Sequence, residues 1–331
     1  MCISLKSLHK ASVAVFASVL LLVPTLPAIA ASFTTVDVPG AYVTVPLAIN
    51  ADGAVTGYYN TKTATYGFIR LADGTIKTFG AKGSPLTWPS CINRRNSTTG
   101  FFTVRSWGRG FLRGNDGNIA HFNIRGAQGT QANCLNDSGV IAGYYYDKEF
   151  HGFVRAVDGS ITSFDPGGSI ATDPTVINAN GDIAGWYRDR NGADRGFVRT
   201  SGGTITKFAV TADTETYVLA INARGATAGY YGIDGSSTGF VREADGKIKS
   251  IVVKNSLASS ISGINAAGAT TGYYIGTDNA DHGFIRSARG RVTTFDPPNS
   301  DQTQPQDIND KGVVAGAYWD AAGLHGFIRN P

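Results

Sequence analysis

Glutamate is nearly missing from this 331-residue chain: Glu149, Glu215 and Glu243 are the only three. Methionine occurs once and cysteine three times. So few thiols exclude a disulfide-framework fold, and no Cys-x-x-Cys, His-x-x-x-His or His-Glu-x-x-His spacing offers a metal site. Alternating-acid calcium loops are not found either. Neither a metal nor a cofactor is therefore expected. No apolar series recurs at helical spacing, which rules out helical solenoids of similar repeat length. Charged residues make up only 16% of the chain, without runs of one sign. Beyond residue 30 there are 27 Lys plus Arg against 25 Asp plus Glu, a balance that gives no footprint for nucleic acid. A nucleophile elbow is not expected, and no spacing singles out a carboxylate pair for glycoside hydrolysis, so no catalytic residue is assigned.

What the chain has in abundance is glycine, 42 residues, placed with a strict period. Seven asparagines, Asn50, Asn93, Asn136, Asn178, Asn222, Asn265 and Asn309, are separated by 43, 43, 42, 44, 43 and 44 residues. Seven positions after each stands a glycine, from Gly57 to Gly316, and two further on an aromatic ring, from Tyr59 to Tyr318. A Gly-Phe-aliphatic-Arg tetrad follows, ending at Arg70, Arg113, Arg155, Arg199, Arg242, Arg286 and Arg329. Four short β-rich segments per repeat of roughly 40–45 residues is the pattern of a propeller blade. The expected fold is all-β: a seven-bladed β-propeller with four antiparallel strands per blade.

In the first repeat the strands are expected at Val45 to Ile49 (A), Ala54 to Tyr59 (B), Gly67 to Leu71 (C) and Thr75 to Phe79 (D). Asn50-Ala51-Asp52-Gly53 reads as a type I turn between A and B, with asparagine capping the turn and glycine in the left-handed conformation. In the second copy Asn96 replaces that glycine. The strand B glycine is expected to make room for rings of the facing blade. The last repeat ends at Gly326-Phe327-Ile328-Arg329 and lacks a fourth strand, while Phe33 to Pro39 precedes the first repeat with Val36 at the strand D position. The N-terminal segment is thus expected to supply the outer strand of the final blade and close the ring.

Residues 1–30 read as a secretory signal peptide, with Lys6 and Lys10 before an apolar run and Ala28-Ile29-Ala30 as cleavage site. The run is short for a membrane span. The remaining 301 residues are filled by the seven repeats, residues 31–331, with nothing expected to remain for a second domain and a monomer expected. Cys91 and Cys134 both stand two residues before a turn asparagine, on strand A of consecutive repeats. They are expected either to form a disulfide between blades or to be small buried residues, as Ala48, Val176, Ala220 and Gly263 are at the equivalent position.

The seven arginines are read as structural ties within each blade, stacked on the strand B ring or bonded to backbone carbonyls. Function is sought where the copies differ, on the face carrying the B–C and D–A links, which are expected to be longer than the turns opposite. The candidates there are Arg105, Trp107 and Arg109; Tyr146 and His151; Arg188 and Arg190; and Trp319 and Asp320. Aromatic rings beside arginine and aspartate suit carbohydrate stacking or a protein partner. His151, His282 and His325 precede the Gly-Phe pair in three copies. Placed around a ring, they are not expected to converge on a metal.

Those His-Gly-Phe-aliphatic-Arg elements, with Ile-Asn-x-x-Gly upstream, resemble the bacterial extracellular HAF-repeat family, from which the chain departs in Gly for Ala and Arg for Trp. The resemblance spans residues 31–331 and implies export and a propeller-like fold, without an activity. A recurring WD dipeptide and the sialidase Asp-box are missing. Two functions are carried forward. One is a secreted or periplasmic non-enzymatic scaffold binding a glycan, polymer or protein. The other is a propeller lyase or hydrolase acting on a polysaccharide or small metabolite.

Overall fold

The computed structural model describes residues 31–233 and 236–331. The leader reading falls on residues 1–30, outside them. The described residues form 28 β-strands and no helix, which fits seven blades of four strands. In the first repeat the strands are Val43–Ile49, Val55–Asn60, Thr65–Arg70 and Ile76–Phe79, a simple antiparallel meander. Strand A thus starts two residues earlier than expected, and strands C and B shift by one or two. Ser32–Val36 pairs antiparallel with Gly323–Asn330, Val36 opposite Gly326, as Phe79 lies opposite Gly67 in the first repeat. Ser32–Val36 therefore completes the sheet of the last repeat as its outer strand and covers the edge of Gly323–Asn330.

Each A–B turn follows the chemistry of its residues. Asn50 accepts the amides of Asp52 and Ala54 on its side-chain oxygen, and the Gly53 amide bonds the Asn50 carbonyl. Gly53 has φ 96° and its counterpart Asn96 has φ 59°, the left-handed region that these two residue types tolerate.

Strand A carries a bulge in every repeat, at Leu47 in the first, where pairing shifts between Pro46 and Ala48. The same shift skips Ser90, Asn133, Thr175, Leu219, Ser262 and Gln306. The bulge explains the strand B glycine. A Cβ at Gly57 would run into the carbonyl of Val45 on the neighbouring strand, and Gly100 and Gly272 meet the same obstacle. This corrects the expectation that a ring from the facing blade fills that space. The strand C glycine does that work: a Cβ at Gly67 would strike the Phe79 ring and the Pro89 ring of the next repeat.

Between repeats, Phe68, Phe111, Phe153, Phe197, Phe240, Phe284 and Phe327 are fully buried. Five meet the strand D phenylalanine of the preceding repeat edge to face, Phe79 against Phe111 at 6.1 Å being typical. Each such ring contributes several kcal/mol, of order 3–5 on truncation.

Candidate functional site

The strand A bulges place one residue per repeat against a common cavity, which also touches Cys91, Cys134 and Asp307. Contact with all seven repeats makes this cavity the axial channel. One end is surrounded by the seven turn asparagines. Their side-chain amides form a closed cycle. Asn50 Nδ2 donates to the Asn93 carbonyl at 3.0 Å, and each asparagine in turn donates to the next, until Asn309 donates to Asn50 at 3.1 Å. One amide group thus caps its own turn through oxygen and ties the next repeat through nitrogen. The sequence reading recovered the first role only.

Cys91 and Cys134 are joined in the structure, their Cα atoms 4.9 Å apart, which links two consecutive repeats inside the channel. At the matching position of the last repeat, Asp307 accepts the amide of Ile49 from the first repeat at 3.0 Å. Burial pushes its carboxyl up to about 6.

At the other end the wall changes. Gln131, Asn133, Tyr144, Asp173 and Thr175 line a cavity of about 330 Å³ together with Leu47 and Ser90. Asn133 Nδ2 donates to Asp173 Oδ1 at 2.8 Å, and the Tyr144 hydroxyl donates to Gln131 Oε1 at 2.5 Å. Burial pushes Asp173 up to about 7, and burial with the Asp173 charge pushes the Tyr144 phenol up. Beside them Trp186 lies opposite Asp173 in the strand pair and edge-on to Tyr217. None of Asp173, Tyr144 or Trp186 was singled out from sequence. The usable signal was the strand A position two before the bulge, which reads Val45, Trp88, Gln131, Asp173, Tyr217, Ser260 and Gln304 where the position before it is Thr in six copies and Ser in the remaining one.

Among the sequence candidates, the structure brings Trp107 and Tyr146 together. Their rings stack at 5.4 Å with 14° between planes, and Phe150 packs against Tyr146 at 4.9 Å. Trp107 is 42% and Phe150 45% exposed, so the group presents open aromatic surface. In this repeat the B–C link is not a long loop, contrary to expectation. The strands run to Val104 and Trp107, and Arg105 takes φ 57° in a tight turn. Trp107 is therefore held by a ladder rather than by a loop.

The other candidates do not join this platform. Arg188 is committed to Asp194, at 2.8 and 2.9 Å, and Asp194 also accepts the Tyr217 hydroxyl at 2.6 Å. Arg190 is exposed, and Trp319 is half-buried in the pair with Gln302. His151 and Asp320 belong to a repeated clamp. His151 Nδ1 meets Asp165 at 2.7 Å and its Nε2 faces Asp147 at 3.5 Å. His282 sits between Asp296 and Asp278, and His325 between Asp37 and Asp320. The two acids flank opposite ring nitrogens, so they do not converge on one ion; among the described residues no three ligating side chains do. Burial lowers His151 and His282, but the hydrogen bonds and charges of their aspartates outweigh it and raise both.

The arginines also need a correction. The guanidinium stacks across the interface, not within the blade: Arg113 lies 4.9 Å over Phe79 of the preceding repeat, and Arg155, Arg199, Arg242 and Arg329 repeat the contact. Arg70 and Arg286 have no such ring because the strand D positions before them hold Val36 and Ile251. The Arg113 and Arg199 side chains also bond the carbonyl of the following residue. A nucleophile-elbow spelling does occur once, at Gly235-Ser236-Ser237-Thr238-Gly239. Ser236–Arg242 is a strand, so the strand–turn–helix context that exposes such a serine is not there.

No protein-family model matches the chain, and no curated protein sequence does. Solved structures do match, at identities that speak to fold alone. The β-propeller domain of the Trilobed protease from Pyrococcus furiosus aligns with TM-score 0.62 and 10% identity over 89% of this chain and 94% of its own. A catalytically inactive variant of virginiamycin B lyase from Staphylococcus aureus with quinupristin aligns with TM-score 0.59 and 14% identity, over 90% and 99%. A streptogramin B lyase gives 0.56 and 14%, over 90% and 97%. The chain is an all-β protein of β-propeller architecture. Among the described residues no helix is long and apolar enough to cross a membrane.

Proposed function

We propose that this is an exported seven-bladed propeller that binds a glycan or similar polymer on its B–C and D–A face. The single observation that carries the reading is the Trp107–Tyr146 stack, extended by Phe150 and left open to solvent. Flat exposed rings held by strands bind sugar faces with little entropy to lose, because both partners are already rigid. Arg105 and Lys148 beside the platform are exposed and favour an acidic or heavily hydroxylated chain over a basic one. Export rests on the reading of residues 1–30 and the resemblance to HAF-repeat proteins, and the Cys91–Cys134 link suits an oxidising compartment.

A glycan array together with retention on insoluble polysaccharides tests the reading. Trp107→Ala and Tyr146→Ala are expected each to weaken binding at least ~10-fold, about 1.4 kcal/mol, while thermal stability stays near that of the wild type. Equal retention of wild type and both variants, or none on any polysaccharide, would remove the glycan reading. The lyase or hydrolase alternative draws on the channel mouth, where Asp173 has the raised pKa useful to a general acid. The lyases among the similar structures share the fold at 14% identity, which says nothing about this chain's chemistry.

A further inference from the structure

The channel mouth beside Asp173 has a lining that neither the repeat nor the aromatic platform explains. The other repeats place Val45, Trp88, Gln131, Tyr217, Ser260 and Gln304 at the Asp173 position, so no blade needs an acid there. Asp307, which also faces the channel, accepts the backbone amide of Ile49 and has a structural task. Asp173 has a single protein partner among the described residues, the Asn133 amide on Oδ1.

The residues lining this cavity include no lysine, arginine or histidine; Asp173 and Tyr144 are its titratable groups. Arg188, on the strand paired with that of Asp173, is spent on Asp194. An unpaired carboxylate that is half-buried in this wall is stabilised when a counter-charge arrives from outside. The rest of the wall suits an organic cation. Tyr144 supplies an aromatic face, Trp186 stands in the same strand pair as Asp173, and the Thr175 and Ser90 hydroxyls can accept an N–H.

We propose that the channel mouth formed by Asp173, Asn133 and Tyr144 is a binding site for a primary ammonium group carried on a small aromatic or aliphatic amine. The ammonium pairs with the Asp173 carboxylate, and its organic portion lies against Tyr144. Because the carboxyl is partly protonated near neutral pH, binding releases a proton to solvent. This site borders the Trp107 platform, since Phe150 packs against both Tyr146 and Tyr144, but its recognition of an ammonium does not depend on polysaccharide binding.

Calorimetric titration of the full-length protein with 2-phenylethylamine, and with 2-phenylethanol as neutral counterpart, tests it. The amine is expected to bind at least ~10-fold more tightly than the alcohol at pH 7.5. Its affinity should fall at least ~10-fold at pH 5, and the heat should vary with buffer ionisation enthalpy as a proton is released. Asp173→Asn should abolish the preference for amine, and Asp307→Asn should leave it unchanged. Circular dichroism checks that both variants are folded. If Asp173→Asn does not fold, the wild-type comparison of amine with alcohol at two pH values decides alone. The absence of amine binding at millimolar concentration overturns the proposal. So does equal binding of amine and alcohol, or amine binding that survives Asp173→Asn.

Discussion

The side chain of Asn309 donates to the backbone carbonyl of Asn50 at 3.1 Å, across 259 positions of sequence. This bond closes the cycle of seven amides and joins the last repeat to the first at the end of the channel opposite Asp173. Beside it, the Asp307 carboxylate accepts the Ile49 amide, so the seam is tied by two side chains from one strand end.

The two roles of the asparagine are separable. Asn309→Asp retains the acceptor that caps the turn and loses the donor to Asn50. Asn309→Ala loses both. We expect costs of about 1–2 kcal/mol for the first and about 2–4 kcal/mol for the second in denaturant unfolding, since an orphaned buried carbonyl adds to the lost bond. Equal costs would show that the seam bond contributes nothing beyond the turn.

Truncating an interface ring should cost more. Phe153 is fully buried and meets Phe122 edge to face at 6.1 Å. Phe153→Ala is expected to lower stability by about 3–5 kcal/mol. Arg155→Met, which keeps the stem and removes the charge over the Phe122 ring, should cost about 1 kcal/mol. Chemical denaturation of the two variants checks the ranking.

How much of this was legible beforehand follows from what repeats. Seven copies of Asn50, Gly57 and Arg70 and their counterparts fixed the period, the strand count and the pairing of Ser32–Val36 with the last repeat. Their partners were not legible. Arg113 reaches a ring in another repeat and Gly57 answers a bulge, because three-dimensional neighbours 43 residues apart leave the same periodic mark as neighbours within one repeat. Asp173 was missed for the opposite reason: it occurs in one copy, and its setting depends on Asn133 of the neighbouring repeat. Trp107 was found because an aromatic in a variable link is unusual, but its ladder was taken for a loop.

The pH dependence of stability should carry the signature of the two channel acids. Their folded pKa values, about 7 for Asp173 and about 6 for Asp307, lie above the ordinary value of 3.8. Between these limits the folded state holds protons that the unfolded state has released, so each contributes stability at low pH that is lost as pH rises to about 6–7. In Asp307→Asn and Asp173→Asn the fall in melting temperature between pH 4.5 and pH 7.5 should shrink. An unchanged slope in both would sink the assignment.

The histidine clamps carry the same sign. His151 and His282 are raised, so their contribution is complete below the ordinary histidine value and disappears as pH climbs through the folded pKa. Proton NMR titration should place both above 6.5, and Asp296→Asn should lower His282 without moving His151. A His282 pKa that ignores the loss of Asp296 would show that the 2.8 Å contact carries no charge.

Reduction should weaken the protein measurably. Closing a 43-residue loop between Cys91 and Cys134 stabilises by about 4 kcal/mol in the chain-entropy picture. Intact mass before and after reductant should differ by two hydrogens, and the reduced form should melt lower. Two free thiols in protein purified from an oxidising compartment would exclude the bond.

The bulge in each inner strand has a wider consequence. By ejecting one side chain per copy toward the axis, it turns seven positions to the channel, of which Asn133, Thr175 and Ser262 also bond the next repeat. They hold Leu47, Ser90, Asn133, Thr175, Leu219, Ser262 and Gln306, which are aliphatic, hydroxyl and amide groups on one scaffold. The lumen can thus carry a different set of groups in each copy, and re-lining it at Leu47, Ser90, Leu219 or Gln306 breaks no side-chain bond between repeats, as it would at Asn133, Thr175 or Ser262.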